Sequence, residues 1–126
     1  MEGGTSFPVY DGKELVSSNS EIVLVMVNYR LGLLGMLDLS EVEGGEKYPD
    51  SGKLILLDQI EALKWVKRNI AGFGGDADRV TIGGDSYGAN CALLLPLIDS
   101  AKGLFNQVVA FSPGGIWLLL RSILGK

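Results

Sequence analysis

The sequence predicts an α/β fold in which a parallel sheet carries helices on its faces. Three short runs rich in branched apolar residues, at 21–28, 79–83 and 107–111, have the composition of buried strands, and the near-continuous apolar run 21–28 is typical of a strand buried on both faces. Helical patterns follow the first two runs, at 56–70 and 88–97. Strands that alternate with helices are joined by crossover connections, so we expect these strands to be parallel.

The segment 56–70 is the best-defined predicted helix. Its apolar residues recur at spacings of three and four, which marks one face of an amphipathic helix. Acidic residues precede basic ones along it, an order that complements the helix dipole. Gly72, Gly74 and Gly75 then predict its end. The apolar face consists of Leu56, Ile60, Leu63, Val66 and Ile70.

Composition narrows the classes of function. The 126 residues suffice for one small domain over 1–126. The net charge is −4 and the basic residues are scattered, so we expect no nucleic-acid binding. The chain has no histidine and one cysteine, Cys91, which we expect to be buried. We therefore expect no metal site and no cofactor, and we interpret the acidic segment 38–53 as a solvated excursion.

No segment has the character of a membrane span or of an export signal. The longest apolar stretches, 92–98 and 116–120, are far shorter than the roughly 20 residues that cross a bilayer. The first residues lack the basic and apolar regions of a signal peptide. As written, the sequence predicts a soluble, cytoplasmic chain.

The pentapeptide Gly84-Asp85-Ser86-Tyr87-Gly88 directly follows the predicted strand 79–83. In a nucleophile elbow, a strand ends in a sharp turn that exposes a serine hydroxyl, and a helix begins at once. Gly84 and Gly88 would leave room where a Cβ would collide with the strand or the helix. Ser86 is the candidate nucleophile, and the backbone N–H of Tyr87 is a candidate donor to an oxyanion. An ordinary glycine-rich turn is the alternative that these residues alone leave open.

A longer series of motifs matches one family in order and spacing. From about residue 9 to residue 112, the chain resembles type-B carboxylesterases, the α/β-hydrolases that include the cholinesterases. The resemblance implies a partial, incomplete α/β-hydrolase fold. The matching motifs are Asn28-Tyr29-Arg30-Leu31-Gly32, Gly35, Leu56-Leu57-Asp58-Gln59, Ala62-Leu63-Lys64-Trp65-Val66, Asn69-Ile70, Phe73-Gly74-Gly75-Asp76, Val80-Thr81-Ile82 and the pentapeptide itself.

This resemblance implies a serine carboxylic ester hydrolase that acts on small-molecule esters through an acyl-enzyme, with Ser86 as the nucleophile. The family's triad acid and histidine, and its His-Gly-Gly oxyanion loop, find no match here. We expect them after residue 126 and before Met1, although Gly3-Gly4 stay open as alternative oxyanion donors. The isolated chain is then an inactive or weakly active fragment. Two alternatives are one part of a two-chain esterase and a non-catalytic, cholinesterase-like binding module.

The chain also departs from the family pattern near the motif. Asp85 stands in place of a glutamate, and we interpret it as a structural carboxylate beneath the elbow. Tyr87 stands in place of an alanine. Ile55 stands where the family has a glycine, and a β-branched residue would strain a positive φ there. Strand edges left unpaired in an incomplete sheet should also favour self-association.

Overall fold

The computed structural model describes residues 4–115. Four α-helices and two strands lie in this range: α1 Lys13–Ser18, α2 Gly32–Met36, α3 Leu54–Asn69, β1 Thr81–Asp85, α4 Tyr87–Leu94 and β2 Gln107–Phe111. Short 3₁₀ helices lie at Pro8–Tyr10, Gly45–Lys47, Ile70–Phe73, Leu95–Leu97 and Asp99–Ala101. The apolar pattern of the sequence predicted neither α1 nor α2. Residues 116–120, an apolar stretch noted in the sequence, lie outside the described residues.

Strands β1 and β2 are parallel, as predicted, and pair in register from Thr81 with Gln107 to Asp85 with Phe111. β2 has the predicted bounds, whereas β1 begins and ends two residues later than expected. The prediction that both are buried strands is wrong. Their side chains alternate between exposed and partly buried, because the helices cover one face of the described sheet.

The core lies between α3 and α4. α3 buries the predicted apolar face, and it begins two residues before the predicted start. Gly74, with φ 81°, ends the following 3₁₀ turn, and the Gly75 N–H bonds to the Ile70 carbonyl. The expected strain at Ile55 is absent, because Ile55 lies buried in the first turn of α3 and the positive φ falls on Gly52. The core residues are Ile55, Leu56, Ile60, Leu63, Cys91, Leu94, Leu95 and Ala101.

The prediction of a strand over 21–28 is wrong. Residues 22–30, here called the unpaired segment, run without a turn or a bend, yet they belong to no strand. The backbone groups of residues 23–29 form no backbone hydrogen bond with other described residues. A strand needs a neighbour to satisfy these groups, and the described sheet consists of β1 and β2 alone. The side chains of residues 22–27 are consequently 37–42% exposed on both faces.

The carboxyl-terminal end of the unpaired segment is fixed to the rest of the fold. Arg30 donates to Asp58 of α3 from its backbone N–H at 2.9 Å, from Nε at 2.8 Å and from Nη2 at 2.5 Å. These hydrogen bonds hold the pKa of the Asp58 carboxyl below its usual value. The Asn28 amide exchanges two hydrogen bonds with Thr5, and Tyr29 packs against the core. The segment therefore has a defined position although it lacks a strand partner.

Candidate functional site

Ser86 lies in a strained turn between β1 and α4. Its backbone has φ 53° and ψ −112°, a conformation that non-glycine residues rarely adopt. Hydrogen bonds hold it on both sides: the Ser86 N–H donates to the Phe111 carbonyl at 2.9 Å, and the Ser86 carbonyl accepts from Asn90 at 3.2 Å. The residue is exposed. The turn thus joins the strand end to the helix start and leaves the serine on the surface.

Gly84 is the residue that permits this close approach. A Cβ at Gly84 would overlap the carbonyl group of Gly88 and would lie 2.8 Å from the Ala89 nitrogen. These atoms belong to the backbone of α4, so they cannot turn aside as a side chain can. The collision expected at Gly88 is not found, because a Cβ there would meet the Tyr29 hydroxyl at 3.5 Å, an ordinary contact.

Tyr87 is the first residue of α4, so its backbone N–H is one of the amides that a helix leaves without an internal partner. Such amides carry the positive end of the helix dipole, which favours an anion. Its side chain points elsewhere: the Tyr87 hydroxyl donates to the Met36 sulfur at 3.5 Å. Burial, with smaller effects from Cys91 and Tyr29, raises the pKa of Tyr87 to about 12.

Two phenols and one thiol near the elbow, those of Tyr29, Tyr87 and Cys91, are neutral at physiological pH. Burial raises the pKa of Tyr29 and also that of the Cys91 thiol, although a Gln59 hydrogen bond partly offsets the latter. The prediction that Cys91 is buried is confirmed, since its side chain has no exposed surface. The chain also lacks histidine. Neither the two phenols nor the thiol can therefore accept a proton from the Ser86 hydroxyl near pH 7.

Asp85 does not take the structural position expected of it. Its side chain is exposed, and its carboxylate forms no hydrogen bond with residues 4–115.

Asn90 has a structural role that the sequence analysis missed. This buried amide accepts from the Gly114 N–H at 3.1 Å and donates to the Gly114 carbonyl, which ties the chain after β2 to α4. A polar residue within the apolar run 89–95 was the signal available in the sequence.

Other features of the described residues add no ligand site at the elbow. No three histidine, cysteine or acidic side chains between residues 4 and 115 converge in a way that could hold a metal ion. An open depression of about 390 Å³ is lined by Pro8, Asp11, Lys13, Glu14 and Ser17, none of which belongs to the elbow. Within the same range, no helix is long and apolar enough to cross a bilayer.

Comparison with known proteins extends the similarity over most of the chain. Residues 1–117 match the family model described as the carboxylesterase family. The para-nitrobenzyl esterase of Bacillus subtilis (strain 168) is 46% identical over 107 residues, which cover 85% of this chain and 21% of that protein. Neuroligin-2 of Mus musculus is 41% identical over 112 residues, which cover 89% of this chain and 12% of that protein.

Solved structures agree with the sequence matches. The carboxylesterase of Geobacillus stearothermophilus superposes with a TM-score of 0.81 at 42% identity, over 86% of this chain and 22% of that structure. A para-nitrobenzyl esterase structure gives a TM-score of 0.76 at 46% identity. The chain thus spans about a fifth of the length of the esterases it matches.

Proposed function

Since this chain belongs to the carboxylesterase family, we propose that it is the nucleophile-bearing part of a serine carboxylic ester hydrolase. The observation that carries the proposal is the backbone conformation of Ser86. This residue lies between the end of β1 and the start of α4 and has a φ of 53°. The combination of φ 53° with ψ −112° is strained for a non-glycine residue, at a cost of about 1–3 kcal/mol, and strain of this kind clusters at active sites.

The proposed reaction begins when Ser86 Oγ attacks the carbonyl carbon of a small ester and its proton passes to a base. The resulting tetrahedral oxyanion accepts a hydrogen bond from the Tyr87 N–H, and one such donor is typically worth about 3 kcal/mol. The bond to the alcohol oxygen then breaks, the alcohol leaves with a proton, and acyl-Ser86 remains. Water hydrolyses this ester to release the carboxylic acid and restore the hydroxyl.

The base is the part of this reaction that the chain does not supply. No histidine exists in the sequence, and the nearby phenols and thiol stay protonated at neutral pH. We therefore propose that the chain alone is inactive or weakly active. A para-nitrobenzyl ester is the first substrate to test, since one relative bears the name para-nitrobenzyl esterase.

The test adds the missing base as imidazole. The chain is treated with a fluorophosphonate, which phosphonylates activated serines, and the adduct is measured by intact-mass spectrometry with and without imidazole. We expect background labelling in buffer and a clear adduct with imidazole. Ser86→Ala should abolish this adduct. Ser112→Ala is the matched control, because Ser112 is also exposed and also has a positive φ, of 49°, and this variant should retain it.

Each other result has a defined meaning. A chain that forms no adduct on Ser86 even with imidazole, or an adduct that persists in Ser86→Ala, contradicts the esterase proposal and favours a non-catalytic binding module. Strong labelling of Ser86 in buffer alone contradicts the proposed inactivity. If that labelling rises with protein concentration, it favours an esterase assembled from two chains.

A further inference from the structure

Asn90 is a buried polar residue on an otherwise apolar stretch of α4, with 3% of its surface exposed. Its side-chain amide accepts from the Gly114 N–H at 3.1 Å and donates to the Gly114 carbonyl. One side chain thus satisfies both backbone groups of Gly114, as the facing residue of an antiparallel strand would. The burial and both hydrogen bonds are formed within residues 4–115, so they do not depend on residues outside this range.

Asn90 also contacts the proposed nucleophile through its backbone. Its N–H donates to the Ser86 carbonyl at 3.2 Å, and the Ser86 N–H donates to the Phe111 carbonyl at 2.9 Å. Phe111 lies three residues before Gly114, the partner of the Asn90 side chain. Hydrogen bonds and chain therefore form a closed ring through Ser86, Asn90, Gly114 and Phe111, here called the elbow ring.

The elbow ring contains two residues with a positive φ. Ser86 has φ 53° and ψ −112°, and Ser112, which lies between Phe111 and Gly114, has φ 49°. Non-glycine residues keep such conformations where the surrounding structure holds them from several sides. Because the Asn90 side chain closes the ring, it contributes to holding both serines.

The ring also orients the amide that is proposed to bind the oxyanion. The Ser86 carbonyl and the Tyr87 N–H belong to one planar trans peptide group, in which the two bonds point in opposite directions. The carbonyl points along α4 to the Asn90 N–H, so the Tyr87 N–H points away from the helix, where an anion can approach. The position of Asn90 thus fixes the direction of this donor.

We propose that Asn90 is a positioning residue, whose side-chain amide holds Gly114 and thereby keeps Ser86 and the Tyr87 N–H in the arrangement that ester hydrolysis needs. This role rests on the function proposed above. A purely structural asparagine would stabilise the fold and leave Ser86 unaffected. Asn106 provides that comparison, because its Oδ1 accepts from the Val80 N–H at 2.9 Å at the opposite end of the strand pair.

Two measurements on Asn90→Leu and Asn106→Leu test this role in the 126-residue chain. Leucine has the branched shape of asparagine without its polar atoms. In Asn90→Leu, the protection of the Ser86 N–H against hydrogen exchange should fall about tenfold or more, because Gly114 loses both hydrogen bonds that hold it. The rate of Ser86 phosphonylation with imidazole should fall about tenfold as well. Asn106→Leu should keep both quantities within about twofold of the wild type.

The exchange of the Leu63 amide in α3 separates positioning from general destabilisation. In Asn90→Leu, the protection of Leu63 should fall much less than that of Ser86. An equal fall at the two amides overturns the proposal, because Asn90 then supports the fold as a whole. Unchanged protection or unchanged phosphonylation of Ser86 in Asn90→Leu overturns it, and so do equal losses in Asn106→Leu.

The two measurements also distinguish this proposal from the esterase proposal. If the wild-type chain is phosphonylated and Asn90→Leu reacts equally fast, the positioning role fails and the esterase function stands. If the wild-type chain is not phosphonylated, the esterase function fails. The exchange of the Ser86 amide then decides alone whether Asn90 positions Ser86, with a selective fall supporting the role and an unchanged rate overturning it.

Discussion

The elbow unit, which comprises β1, α4 and β2, and the unpaired segment have similar compositions. They differ in whether a neighbouring strand pairs with them among the described residues. Both regions contain branched apolar runs of strand character. In the elbow unit, each strand pairs with the other, and α4 covers one face. The unpaired segment is equally apolar, yet its backbone has no strand partner in residues 4–115.

This difference shows what a sequence pattern can specify. An apolar run encodes a preference for extended backbone, but the neighbouring strand that satisfies its hydrogen bonds comes from elsewhere in the chain. The elbow unit contains its own neighbour only 26 residues along the chain, since Thr81 pairs with Gln107. If the elbow unit is the more constrained region, substitutions in it should change stability more than matched substitutions near the unpaired segment.

The largest expected effect contrasts Gly84, in the elbow unit, with Gly12, which lies against the unpaired segment. Gly84→Ala would set a Cβ against the backbone of α4 and should lower the free energy of unfolding by about 3 kcal/mol. Gly12→Ala would also create an overlap, but with the end of the Leu24 side chain in the unpaired segment, which can rotate away. It should cost less than about 1 kcal/mol. Urea denaturation of both variants makes the comparison, and equal losses would contradict it.

A smaller effect of opposite sign is expected at the nucleophile. Ser86→Gly relieves the strain at φ 53° and should raise the free energy of unfolding by about 1 kcal/mol, because glycine adopts this conformation freely. Ser20→Gly, two residues before the unpaired segment and without a positive φ, should lower the free energy of unfolding by up to about 1 kcal/mol. Thermal unfolding measures both. A loss of stability in Ser86→Gly would show that the turn is not strained.

The smallest effect appears at alkaline pH. The folded chain retains the Tyr87 proton up to a pKa of about 12, whereas the unfolded chain loses it near 10.0. Between these values the folded state binds more protons, so the Tyr87 contribution to stability is complete below pH 10.0 and is lost as the pH rises towards 12. Tyr87→Phe should flatten the decline in melting temperature across this window. Tyr48→Phe, which alters an exposed side chain, should not.

Features determined by local sequence were predicted well. The periodic face of α3 and the turn from β1 into α4 at Ser86 each depend on residues close in the chain, and the partial α/β-hydrolase fold is confirmed by the structural matches. Features that depend on distant contacts were not. The strand at 21–28 lacked its partner, Asn90 acts through Gly114, and the exposed Asp85 took no structural role.

The measurement that tests the central claim most directly is the distribution of the phosphonyl adduct between Ser86 and Ser112 within one chain, mapped by peptide mass spectrometry in the presence of imidazole. Both serines are exposed and have a positive φ, but only Ser86 precedes a helix whose first amides can bind an oxyanion. We expect the adduct on Ser86, with Ser112 at background. Equal labelling of the two serines, or labelling of neither, would contradict the assignment of Ser86 as an esterase nucleophile.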